Sequence, residues 1–245
     1  RAELDGRPYD PEEADCEHRC RFQPLRAGLG DFFMVQLIVH RGGQEIGGSA
    51  VELCSPHGRI LLDLGAPLDY DTHSMPDRDT LRQSGVLPQI QGLYADGMPG
   101  FDAILLSHAH LDHSGLLPFA HPDIPLVLSG GSKALMELGA RFLRQPMLTS
   151  RQIIFEMYRT FFIADIQITP YLMDHSAFDA AAFEILADGQ RIVYTGDFRC
   201  HGRKGKSFER FLKQVAPMPD ILLCEGTTLG RGDGSAQTEG ELELE

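Results

Sequence analysis

Three imidazoles and one carboxylate crowd into six residues, His108-Ala109-His110-Leu111-Asp112-His113. Imidazole nitrogen and carboxylate oxygen together suit zinc and neighbouring transition metals. Side chains two apart in an extended segment face the same way, so His108 and His110 can converge on one ion. A turn at Leu111 would send Asp112 and His113 toward a second. Two cations about 3.5–4 Å apart form a clamp for hydrolysis through a bridging hydroxide.

Such a cluster needs rigid elements to hold it. Ala103-Ile104-Leu105-Leu106 runs straight into it and reads as a buried strand over 101–107. Further strand-like runs cover 35–39, 50–54, 59–63, 124–129, 166–173 and 220–224. Residues 182–187 and 191–195 flank Asp188-Gly189, a strong hairpin signal. Several of these runs stop at a metal-capable residue: Asp63, the Asp174-His175 pair, and Asp197 after Gly196. A plain turn aspartate at 63 or 197, or a buried structural histidine at 175, stays open on the pattern alone. Helices are expected over about 132–144, 150–163 and 207–215. Residues 66–101 are polar and punctuated by Pro and Gly, which suggests a functional loop or a lid.

The His-x-His-x-Asp-His string resembles the signature of the metallo-β-lactamase fold superfamily. Ile60-Leu61-Leu62-Asp63-Leu64-Gly65, Asp174-His175-Ser176-Ala177-Phe178-Asp179 and Thr195-Gly196-Asp197-Phe198-Arg199 resemble three further motifs, in order. The run from His40 to Ser49 and the Asp-His-Ser-Ala-Phe-Asp string resemble the β-CASP branch, the ribonuclease J-like nucleases. The resemblance implies an α/β fold, a four-layer αβ/βα sandwich. It implies two zinc ions, with manganese acceptable to the same ligand mix. His108, His110 and His175 would hold the first, Asp112 and His113 the second, and Asp197 would bridge them. A carboxylate has two oxygens and can span two cations, as an imidazole cannot easily do. Asp63 would orient a ligand histidine through its other nitrogen, and Asp112 would position the nucleophile and shuttle its proton. The family places one more histidine on the second metal, yet after Asp197 only His201 remains, in a loop. The branch also continues into a cap domain near Glu225. The chain is therefore expected to be the N-terminal part of a longer design, incomplete at the C-terminus, with full occupancy of the second site in question.

The protein has 245 residues, 42% hydrophobic and 23% charged, which excludes a collagen-like or wholly disordered chain. Twenty-two bases face 35 acids, net −13, an argument against a simple nucleic-acid coat protein. The excess sits at the ends. Residues 1–33 are expected to be a poorly ordered acidic leader, 34–230 the catalytic domain, and 231–245 an acidic tail. Within that domain Arg199, Arg203, Lys204 and Lys206 follow Asp197 closely and would contact a phosphate backbone, with Arg210 and Lys213 beyond. RNA is the expected substrate, DNA a second candidate. An ester, thioester or lactam hydrolase, or a metal-binding remnant without activity, stays open. No apolar run reaches a membrane span, and five scattered cysteines suggest a reducing, cytoplasmic compartment. Homo-oligomer formation stays open.

Overall fold

Asp188 and Gly189 both adopt positive φ, 47° and 72°, the left-handed pair that a two-residue type I′ turn demands. Strands β9 (Ala181–Ala187) and β10 (Gln190–Tyr194) accordingly pair antiparallel across them. The computed structural model describes residues 35–70, 77–143, 147–215, 219–227 and 239–243. The expected leader 1–33 and most of the 231–245 tail lie outside the described residues.

Among the described residues the strands form two sheets. The first is ordered β1-β2-β3-β4-β5-β6: β1 (Gln36–Arg41), β2 (Ala50–Cys54), β3 (Arg59–Leu62), β4 (Ala103–Leu105), β5 (Leu126–Ser129) and β6 (Gln152–Phe155). It starts as an antiparallel meander and continues parallel from β3 to β6. The second is ordered β11-β10-β9-β8-β7, with β7 (Phe161–Ile163), β8 (Ile166–Leu172) and β11 (Ile221–Leu223). Parallel neighbours need crossovers. These contain α1 (Arg78–Gln83) between β3 and β4, α2 (Leu111–Ser114) between β4 and β5, and α3 (Gly130–Leu143) between β5 and β6. Helix α4 (Gly205–Val215) joins β10 to β11.

Alternation along the strands sorts the side chains into layers. Val51, Leu53, Ile60, Leu62 and Leu105 of the first sheet meet Ile166, Ile168, Phe183, Ile185 and Ile192 of the second. Leu61, Ile104, Leu126 and Leu128 point the other way, onto Leu81, Leu93 and Leu116. On the far side Tyr171, Met173 and Val193 receive Phe211 and Val215 of α4. Full burial of each such aliphatic side chain is worth about 1.5–3 kcal/mol. The result is the expected four-layer sandwich, helices outside and two sheets within. No helix among the described residues is long and apolar enough to cross a membrane.

One expectation fails. Residues 150–163 are not a helix but β6 and β7, joined through Tyr158 at φ 65°. Ile153, Ile154, Phe161, Phe162 and Ile163 favour a pleated surface, and β6 completes the parallel sheet beside β5. The described part of 66–101 is more than a polar connection: it carries α1 and buries Leu81, Leu87, Ile90, Leu93 and Tyr94 in the outer core. Those apolar residues are too widely spaced to show a period.

The outer face of the first sheet also holds a buried ion cluster. Glu52, 1% exposed, accepts from Arg59 Nε at 2.8 Å and lies 2.8 Å from His40 Nε2. The Arg59 guanidinium covers the Phe101 ring at 4.0 Å. Burial alone would raise the Glu52 carboxyl, but the hydrogen bonds with His40 and Arg59 outweigh it and hold it down to about 2. A carboxyl depressed from 4.5 favours the fold above that pH and loses this contribution as pH falls toward 2. The contribution is about 3 kcal/mol. The stability gap between wild type and Glu52→Gln, measured by denaturant unfolding, is therefore expected to narrow over that window. A gap constant with pH would contradict the assignment.

Candidate metal centre

The C-terminal ends of β3, β4, β8 and β10 meet at one rim. Asp63 follows β3, Ser107 and His108 follow β4, His175 follows β8, and Asp197 follows β10. The two sheets are tied there by Ala181 N–H donating to the Ser107 carbonyl at 3.0 Å. Past His108 the chain turns into α2, whose first turn carries Asp112 and His113. The chain at 64–66 is laced to 111–113 by Leu64 N–H to the His113 carbonyl and Ala66 N–H to the Leu111 carbonyl, both 2.9 Å.

Residues far apart in the chain thus present donor atoms to one small volume. His108, His110 and His175 each offer one ligand atom, all within 4.8 Å of one another, and so do His108, His113 and Asp197. His175 Nε2 lies 3.1 Å from His110 Nδ1. The two carboxylate oxygens of Asp197 face different histidines: Oδ1 is 3.2 Å from His113 Nε2 and Oδ2 is 3.9 Å from His175 Nε2. Asp112 stands at the margin, Oδ2 3.8 Å from His113 Nε2, outside both three-residue groups. Asp63 lies beneath, fully buried. Its Oδ1 accepts from Ser107 N–H at 2.7 Å. Its Oδ2 takes Ser107 Oγ–H at 2.7 Å and Tyr194 O–H at 2.6 Å, and lies 2.7 Å from His113 Nδ1.

The electrostatics suit a cation. Burial, with His113, His175 and His110 alongside, pushes His108 far below its ordinary value. Its imidazole is neutral and keeps a lone pair. His108 Nε2 is nevertheless buried without a hydrogen-bond partner. Stranding such an atom costs about 1–3 kcal/mol, a cost that a cation would remove. Burial also lowers His175, to about 4, against the pull of Asp197. His113 is the opposite case: burial disfavours its charge, yet Asp63 and Asp197 raise it to about 10. Burial would raise Asp197, but His113, His175 and His110 hold it below the usual carboxylate range. The neutral imidazoles of His108 and His175 beside an ionised Asp197 fit zinc or a similar divalent ion, and His113 would join them by giving up its Nε2 proton to the incoming cation.

The four basic residues are placed less simply. Arg199 Nη2 is 2.6 Å from Glu239 Oε1, and its Nε is 3.7 Å from Asp174 Oδ1. Arg203 pairs with Glu243 and, at 3.9 Å, with Glu239. These acids belong to or adjoin α5 (Glu239–Leu242). Lys204 Nζ donates to the Ala177 carbonyl at 2.9 Å in the loop that carries His175, and burial lowers its pKa. Lys206 is exposed.

Tyr194 and Ser107 escape the sequence reading, and Asp174, there only a metal-capable residue at a strand end, proves to be a brace. Asp174, fully buried, accepts from Gly202 N–H at 2.7 Å and Lys204 N–H at 3.2 Å, so it braces the His175 loop against the Asp197 loop. Tyr194 and Ser107 both donate to Asp63. Their only signal was adjacency to the motifs.

A family model described as "Beta-lactamase superfamily domain" matches residues 71–243, and the chain belongs to that superfamily. An RNase J-like protein of Methanocaldococcus jannaschii is 29% identical over 67% of this chain and 36% of its own length. Ribonuclease J of Helicobacter pylori is 26% identical over 81% of this chain and 28% of its own. The chain therefore spans about a third of the length of such relatives. A crystal structure of an Enterococcus faecalis protein of unknown function superposes with a TM-score of 0.69 at 24% identity, covering 82% of this chain and 52% of that one. These relatives agree with the resemblance drawn from residues 40–49 and 174–179, and the site offers donor groups that could hold a divalent ion.

Proposed function

We propose that this chain is the catalytic part of a phosphodiester hydrolase that cleaves RNA with two divalent cations, zinc or alternatively manganese. The observation that carries the reading is the pair of donor groups sharing His108, with the two oxygens of Asp197 turned to different histidines. His108, His110 and His175 would hold one ion. His113 and Asp112 would hold the other, with Asp197 between. Cations held there supply Lewis acidity toward a phosphoryl oxygen and bring the pKa of a water near 7. Asp112, 21% exposed at the rim, would take up or return a proton on the open side. Asp63 holds His113 by its Nδ1, leaving Nε2 turned to the centre. Lys206 is an exposed base that would attract a polyanion, and Arg203 would do so only by leaving Glu239 and Glu243. The ribonuclease names among the relatives favour RNA over a small ester.

Turnover of a labelled RNA oligomer by the zinc-loaded protein, set against a chromogenic ester and a lactam, tests the reading. Turnover of the ester or lactam alone would replace it. Phe178 adds a second check. It follows His175 by three residues and is 63% exposed, a flat apolar face in a ligand-bearing loop. Base–aromatic stacking is worth about 1–3 kcal/mol per base. Phe178→Ala is expected to weaken binding of a single-stranded RNA oligomer by about tenfold, with Phe178→Trp near wild type. Unchanged binding by the alanine variant would remove Phe178 from the substrate path.

A further inference from the structure

A serine hydroxyl has one proton to donate, and that single fact orders the hydrogen bonds beneath the centre. Ser107 Oγ, fully buried, touches three groups: Asp63 Oδ2 at 2.7 Å, His108 Nδ1 at 3.1 Å and His113 Nδ1 at 3.4 Å. Asp63 is an acceptor on both oxygens, since Oδ1 already receives the Ser107 N–H and Oδ2 the Tyr194 O–H. An oxygen–oxygen approach of 2.7 Å needs a proton between the atoms, and Ser107 supplies it. The hydroxyl then has only lone pairs left for His108, so Nδ1 of His108 must be the protonated nitrogen. A neutral imidazole carries one N–H, which leaves Nε2 bare. His108 Nε2 is the very atom that is buried without a partner. His113 is fixed more directly, because its Nδ1 sits closer to Asp63, at 2.7 Å.

We propose that Ser107 is a positioning residue for the metal centre: its hydroxyl, oriented by Asp63, fixes the tautomer of His108 and commits Nε2 to the metal. One buried carboxylate thereby sets the ligand atoms of both donor groups, directly at His113 and through Ser107 at His108, which both groups share. This rests on the metal-centre reading above but not on the identity of the substrate.

Ring nitrogen-15 resonances of His108 in the zinc-free, folded protein test the inference. The expected result is a protonated Nδ1 and an unprotonated Nε2, and a protonated Nε2 in the wild type would overturn it without any variant. Two substitutions sharpen the test. Ser107→Ala removes the acceptor and is expected to mix the His108 tautomers and weaken zinc binding about 10–100-fold, read by chelator competition. Ser107→Thr, which keeps the hydroxyl, is expected to restore both readouts. Asp63→Asn never touches His108. Ser107 N–H would hold the amide oxygen at the Oδ1 position and turn the NH2 toward Ser107 Oγ, freeing the hydroxyl proton for His108. His108 is expected to change tautomer in that variant also, and a tautomer insensitive to both Ser107→Ala and Asp63→Asn would overturn the relay. If the wild type bound no zinc at all, the metal-centre reading itself would fall, whereas tight zinc binding by Ser107→Ala with unaltered His108 resonances would remove the relay alone.

Discussion

Gly65→Ala is expected to destabilise the protein by at least about 3 kcal/mol and to cost it the ion at His113 and Asp197. A methyl group built on Gly65 would lie 1.7 Å from the Asp112 carbonyl oxygen, 2.3 Å from its carbon and 2.9 Å from His113 N. All three are backbone atoms, so no rotamer change can relieve the overlap. The segment cannot slide aside cheaply either. Ser49 N–H binds the Asp112 carbonyl at 3.0 Å, and Gly65 N–H binds the Ser49 carbonyl at 2.9 Å. Displacing 112–113 therefore breaks the lacing that aims Asp112 and His113. Chemical denaturation and zinc stoichiometry read the two effects. Gly139→Ala is the contrasting substitution: it lies inside α3 with nothing within 4 Å of the added carbon. Replacing a helical glycine there is expected to stabilise by about 0.5–1 kcal/mol. Wild-type stability and two bound ions in Gly65→Ala would show that the close approach is not what places the ligands.

Gly65 also marks where sequence reasoning stopped. Nothing in a string of letters says that one glycine faces a carbonyl 47 positions on. The hexad 108–113 was legible as a candidate because its metal-capable residues are contiguous and follow an unbroken apolar strand. His175 and Asp197 were legible as residues at strand ends, through the resemblance of their neighbours to known motifs. Ser107 and Tyr194 were not, since their partner Asp63 lies 44 and 131 residues away. The pairing of the basic loop was illegible for a related reason: Arg199 and Arg203 meet Glu239 and Glu243 only after folding brings α5 to them. The sandwich was readable from the strand pattern together with the resemblance, and its β9–β10 hairpin from the Asp188-Gly189 turn. The 150–163 segment was misread because short apolar runs fit either period, and only the parallel partner β5 decides for a strand.

Asp197→Ala is expected to lower RNA cleavage by about 1,000-fold or more, since the electrostatic contribution of a correctly held cation is worth several kcal/mol. The same variant is expected to bind one zinc where the wild type binds two. The reason lies in its two oxygens, one turned to His113 at 3.2 Å and the other to His175 at 3.9 Å. No imidazole in the cluster can serve both groups with separate lone pairs. The loop itself does not depend on that carboxylate. Phe198 N–H is held by Glu225 Oε1 at 2.6 Å and Arg199 N–H by the Asp174 carbonyl at 2.7 Å. Asp197→Ala should therefore fold, and its losses report chemistry rather than collapse. Asp197→Asn separates charge from geometry, because it keeps the shape and one oxygen but cannot offer an anion to His113. It is expected to retain more metal than the alanine variant while remaining strongly impaired in cleavage. Full cleavage and two zinc ions per chain in Asp197→Ala would mean that the carboxylate joins nothing, and the two-cation reading would have to be given up.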